Sequence, residues 1–113
     1  MKPELRKYLE DIRAAIIEVD AYVDLSGGFN QYQVDRRSQI IAERLLIVIG
    51  EQVVRVLRSE PDIAITETVR ITGFRNRIVH DYDQIDNATV YNILVRHLPI
   101  LKNEVAVLLN DHG

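Results

Sequence analysis

Apolar residues recur along this chain at alternating intervals of four and three. Leu5, Leu9, Ile12, Ile16, Val19 and Val23 follow that spacing, with Arg6, Lys7, Glu10, Arg13 and Asp20 between them. At 3.6 residues per turn the spacing lays the apolar residues along one side of an α-helix, and no strand-like alternation competes with it anywhere in the chain. The glycine pair Gly27-Gly28 is expected to close this first helix. It is too short to form a phosphate-cradling glycine loop. A second helix is predicted from about Asp35 to Leu57, where Ile41, Leu45, Val48 or Ile49, Gln52 or Val53, and Val56 form a stripe that Ile40, Leu46, Val54 and Leu57 widen. A stripe that wide needs cover on more than one face, from other helices or from a second protomer. Gly50 sits in the middle of it at a cost of about 1 kcal/mol relative to alanine, a cost explained if another backbone passes close.

Pro61 breaks the pattern. A third helix is predicted from near Thr66 to about His80, with Val69 or Arg70, Phe74 and Ile78 facing inward. Asp86 is placed to cap a fourth helix that carries Val90, Ile93 or Leu94, His97 or Leu98, Leu101, Val105 and Leu108. Pro99 lies inside that helix and should kink it or start its second half. The expected fold is an all-α up-down bundle of four to five helices. At 113 residues it spans one domain, residues 1–113, large enough to bury roughly two-thirds of its unfolded surface.

Composition narrows the function classes. Without cysteine there is no disulfide scaffold, no thiolate zinc site and no cysteine nucleophile. The opening Met1-Lys2-Pro3-Glu4-Leu5-Arg6 has no apolar core, and no stretch approaches the roughly 18 apolar residues of a membrane span. A cytoplasmic protein with no membrane partner is therefore expected. Net charge is −3, yet eight arginines face only five acidic residues between Arg36 and Arg77. A basic centre rich in arginine, whose planar fork suits phosphate, hints at an anionic ligand.

The three histidines, His80, His97 and His112, lack metal-ligand spacing. No metal or cofactor is expected. His97 lies among Leu94, Leu98 and Leu101 and reads as a partly buried structural residue. The stretch Phe74-Arg75-Asn76-Arg77-Ile78-Val79-His80-Asp81-Tyr82 differs from the rest, since it gathers arginine, asparagine, histidine, aspartate and tyrosine at a helix end. Those types together can cleave an RNA phosphodiester. A histidine whose free imidazole titrates near about 6.5 can take the proton of a ribose 2′-OH, and an arginine can neutralise the charge growing on the phosphate. The 2′-OH then attacks its own neighbouring phosphate, so the protein need supply neither metal nor nucleophile.

Helix geometry complicates this reading. Arg75 and Tyr82 lie about 20° apart around a helix, whereas His80 is about 140° from Arg75. Either the helix ends near His80 or two copies of it share one site. The plainer alternative is that Arg75 or Arg77 pairs with Asp81 while Tyr82 staples the turn.

At this motif the sequence resembles the HepT-like ribonuclease toxins, a branch of the HEPN class. Their mark, R-x-x-x-x-H-x-Y, is met by Arg75, His80 and Tyr82, with Asn76 as the polar residue after the arginine. The likeness extends over essentially the whole chain, through Arg36-Arg37-Ser38, the Gly50-Glu51 step, Asp86 and Leu98-Pro99. The resemblance implies a HEPN-like homodimer whose active site is built from facing copies of the motif, and cleavage of RNA, often tRNA, without a metal. By the same implication Arg75 and His80 are the catalytic pair, supported by Asn76 and Tyr82. It also implies a type VII toxin–antitoxin pair in which an MntA-like nucleotidyltransferase adds AMP to Tyr82, putting bulk and negative charge where the RNA phosphate must sit. With a negative net charge, RNA affinity has to come from the arginine-rich middle, for which Arg36, Arg37, Arg77 and also Arg44 are candidates. Two other readings are a non-catalytic HEPN-type nucleotide- or RNA-binding module partnering a nucleotidyltransferase, and a plain helical dimerisation module.

Overall fold

A computed structural model describes residues 1–81, 83 and 85–111. The helices are α1 (Pro3–Tyr22), α2 (Gly28–Tyr32), α3 (Arg36–Ser59), α4 (Thr68–His80), α5 (Asn87–Asn92) and α6 (Leu98–Asp111), with a π-helical turn at Ile93–His97 joining the last two. No strand occurs among the described residues. The molecule is a slab of 42 × 28 × 18 Å, in which α1 packs between α6 and α3, and α3 between α1 and α4. That order leaves α4 at an edge of the slab.

The first apolar stripe is buried throughout, from Leu5 to Val23. Pro3 opens α1, where its missing N–H costs nothing. The helix ends earlier than the glycine pair, at Tyr22. A turn replaces the expected last helical turn because the Asp24 carboxylate accepts from the Ser26 N–H at 2.9 Å and the Ser26 hydroxyl at 2.6 Å. Gly28, at φ 75°, then enters the short α2, which the apolar spacing did not announce. Tyr32 from α2 is fully buried, and its ring and that of Phe29 lean on Tyr91 of α5 at centroid distances of 5.6 and 5.5 Å. Burial, then the charges of Glu43 and Asp35, push the Tyr32 phenol far up.

Asp35 caps α3 by accepting from the Ser38 N–H at 3.1 Å and the Ser38 hydroxyl at 2.8 Å. Ala42, Leu46, Ile49, Val53 and Val56 form the buried side of this 24-residue helix. In α4 the inward residues are Ile71, Phe74 and Ile78. Val69 and Arg70 point outward, one position off the expected stripe, Val69 being 83% exposed. Asp86 caps α5 as expected, accepting from the Thr89 N–H at 2.7 Å. The kink expected at Pro99 takes the form of the π turn, in which the Leu98 N–H reaches back five residues to the Ile93 carbonyl. Widening the helix just before Pro99 relieves the clash between its ring and the carbonyl four residues earlier, that of Val95. No helix among the described residues is long and apolar enough to cross a membrane.

Candidate active site on α4

The motif occupies the last turns of the edge helix. Its arginine is set by the contact between α3 and α4, and Gly50 is the reason. A Cβ at position 50 would collide with the Arg75 Cβ, lie 2.9 Å from its Cγ and lie 3.4 Å from the Ile71 carbonyl oxygen. The missing side chain of Gly50 therefore lets the backbone of α3 press on the aliphatic stem of Arg75. The Arg75 Nε is buried with no hydrogen-bond partner among the described residues, while its terminal Nη1 donates to the Asn76 Oδ1 at 2.9 Å. Asn76, exposed, thus steers a guanidinium whose root is fixed.

His80 is the last residue of α4, exposed, five residues and roughly 7.5 Å of helix rise beyond Arg75. Between the two around the helix lies a strip formed by exposed Val69, Asn76 and Val79 and half-buried Thr72. On α3, Ile40, Ile47 and Val54 recur every seven residues, turned roughly 40–80° from Gly50 around that helix. Ile40 is 54% and Val79 48% exposed, so α3 and α4 each present an apolar side chain to solvent. Neither Arg75 nor Arg77 forms an ion pair with Asp81, which removes the simplest structural explanation of the motif. Tyr82 lies outside the described residues.

The remaining arginines are dispersed. Arg36 and Arg37 stand exposed in the first turn of α3, about 20 Å along that helix from Gly50, and Arg36 approaches the Gln39 side chain at 3.4 Å. Arg44 is exposed farther along α3. Of these candidates only Arg77 shares α4 with the motif, and it faces a different way from Arg75.

Arg77 lines a cavity of about 540 Å³ that the sequence did not reveal. Arg70, Gly73 and Phe74 join it from α4, and Asn92 and His97 come from α5 and the π turn. His97 is partly buried, as expected, and donates from Nδ1 to Glu67 at 2.9 Å. A retrospective signal exists: Arg70, Gly73, Phe74 and Arg77 fall at i, i+3, i+4 and i+7. Among the described residues no group of three or more acidic or histidine side chains is placed to hold a metal ion.

A helical slab whose edge helix ends in an arginine and a histidine is the arrangement expected of a HEPN-class ribonuclease. The chain belongs to the ribonuclease HepT-like family, whose family model matches residues 7–108. No curated protein and no solved structure matches it. Membership makes RNA cleavage the activity class and a toxin–antitoxin pair the setting.

Proposed function

We propose that the protein is the toxin of a type VII, HepT/MntA-like pair, cleaving tRNA in the cytoplasm at a site formed by Arg75 and His80. The observation that carries this reading is the treatment of Arg75, whose stem is wedged against Gly50 and whose guanidinium is held by Asn76 beside an exposed His80. His80 accepts the proton of the ribose 2′-OH as its oxygen bonds to the adjacent phosphorus. Arg75 neutralises the charge that accumulates on the phosphate oxygens. The bond to the 5′-oxygen of the next nucleotide breaks and that oxygen takes a proton from solvent, to which His80 returns the one it accepted, leaving a 2′,3′-cyclic phosphate and a 5′-hydroxyl, with no metal in the reaction.

A second copy of the chain completes this site. Arg75 and His80 flank the α4 strip on either side, and the apolar side chains of α3 and α4 beside it offer a surface for a homodimer. With two copies facing across that strip, Arg75 of one protomer works with His80 of the other. Attachment of AMP to Tyr82 by an MntA-like nucleotidyltransferase then places a phosphate two residues beyond His80 and blocks RNA.

Expression of the chain alone is expected to arrest growth, and His80→Ala or a co-expressed nucleotidyltransferase to relieve the arrest. Mixing Arg75→Ala with His80→Ala protein, each inactive alone, restores cleavage if the site spans two protomers. A mixture that stays inactive while exchanging subunits refutes the shared site. Growth arrest that persists in His80→Ala refutes the assignment of the base.

A further inference from the structure

The cavity beside Arg77 has a wall of each kind that a nucleotide requires. On α4, Arg70 and Arg77 stand two turns apart, roughly 10 Å, on one face of the helix. Both are exposed, and neither side chain makes a hydrogen bond or an ion pair with a described residue; the Arg77 charge only lowers the Asp86 carboxyl from a distance. Between them Gly73 leaves the floor open, since a Cβ there would meet nothing within 4 Å. Phe74, 6% exposed, supplies an apolar surface. The opposite wall carries the Asn92 amide and the His97 imidazole. The imidazole is fixed at Nδ1 by Glu67, and its Nε2 lies 3.4 Å from the Asn92 Nδ2. The volume of about 540 Å³ lies within the range of small-ligand sites, and helical turns of π type often mark functional positions.

We propose that this cavity binds one nucleotide of the RNA next to the scissile phosphate. Arg70 and Arg77 meet its phosphates, and the base enters over Phe74 toward Asn92 and His97. Its placement in the RNA rests on the ribonuclease reading, because Arg77 lies about 60° around α4 from His80, so a strand held at His80 passes onto the cavity side of the helix. An isolated nucleotide binding the same walls does not depend on that reading. The cavity would make the enzyme selective for the base beside the cut, whereas Arg75 and His80 treat all phosphates alike.

The test is titration of the protein with the four nucleoside 5′-monophosphates and, separately, with inorganic phosphate, followed by amide NMR. At least one nucleotide is expected to shift Gly73, Asn92 and His97 saturably, and Arg70→Glu to weaken it at least tenfold. Phosphate that reproduces the same shifts, or nucleotides that leave these three residues unmoved, overturns the proposal. On RNA, Arg70→Ala is expected to raise KM severalfold with kcat nearly unchanged, and an unchanged KM counts against a role in substrate binding. The two failures are separable. A parent protein that cuts RNA while nucleotides leave the cavity untouched refutes the cavity site alone. A parent that never cuts RNA while nucleotides still shift it refutes the ribonuclease reading and supports the nucleotide site.

Discussion

Replacing Gly50 with alanine opposes two effects of known size. In a helix interior alanine is more favourable than glycine by about 0.8–1.0 kcal/mol, so an open site would be stabilised by the change. The site is closed, because the new Cβ meets the Cβ of Arg75, an atom rooted in the α4 backbone that no rotamer change can move. To restore the carbon–carbon separation of about 3.5–4.0 Å, α4 must retreat by roughly 1 Å. Overpacking of this kind costs about 1–3 kcal/mol, which leaves a net destabilisation of about 0–2 kcal/mol and a Tm lowered by a few degrees. The catalytic effect is larger, since a misplacement of about 1 Å can cost roughly 100-fold in rate. The expected outcome for Gly50→Ala is therefore a folded protein whose kcat/KM on RNA falls by roughly two orders of magnitude. Thermal unfolding and single-turnover cleavage on the same preparation measure both. A variant that is more stable by about 1 kcal/mol and fully active would refute the close approach of α3 to Arg75.

Gly73→Ala is the matching control: with nothing within 4 Å of its new Cβ, it should stabilise the protein by about 0.8–1.0 kcal/mol, read as a rise in Tm. Asp86→Ala removes the α5 cap and should cost about 1 kcal/mol in chemical denaturation, while Asp86→Asn, which still caps, should cost much less. Acid should destabilise the fold. Hydrogen bonds from the Ser26 hydroxyl and N–H lower the Asp24 carboxyl, and those from the Thr89 N–H and hydroxyl lower that of Asp86. A carboxyl lowered in the folded state stabilises above its unfolded pKa of about 3.9, and the gain is lost as pH falls through the folded value. Glu43, raised by burial, acts in the opposite direction. Tm is thus expected to decline below about pH 4, less so in an Asp24→Asn/Asp86→Asn double variant; an equal decline in that variant contradicts the assignment.

The long helices were legible because their stripes are long: six residues from Leu5 to Val23 point one way, and the structure buries all of them. Gly50 was legible too, since a glycine in mid-helix asks for a neighbour, and Arg75 is that neighbour. The 140° between Arg75 and His80 also followed from the spacing alone. Short-range competition was harder to read. Asp24 and Ser26 turn the chain before the glycines do, because a side chain that satisfies its own backbone N–H groups ends a helix that apolar spacing would continue. Pro99 signalled a distortion without its kind, and past Val105 the buried stripe continues to Leu109, one position beyond the expected Leu108, which is half-buried. The cavity could not be read because its two walls lie on helices separated in sequence, and the Glu67–His97 pair that ties them spans 30 residues.

Incubation of the parent protein with total tRNA in EDTA, beside Arg75→Ala and His80→Ala, tests the central claim most directly, with the mass of each protein taken first to establish that Tyr82 carries no AMP. The account predicts that the parent cleaves and neither variant does. Unmodified parent that leaves tRNA intact, or a His80→Ala variant that cuts as fast as the parent, would contradict it.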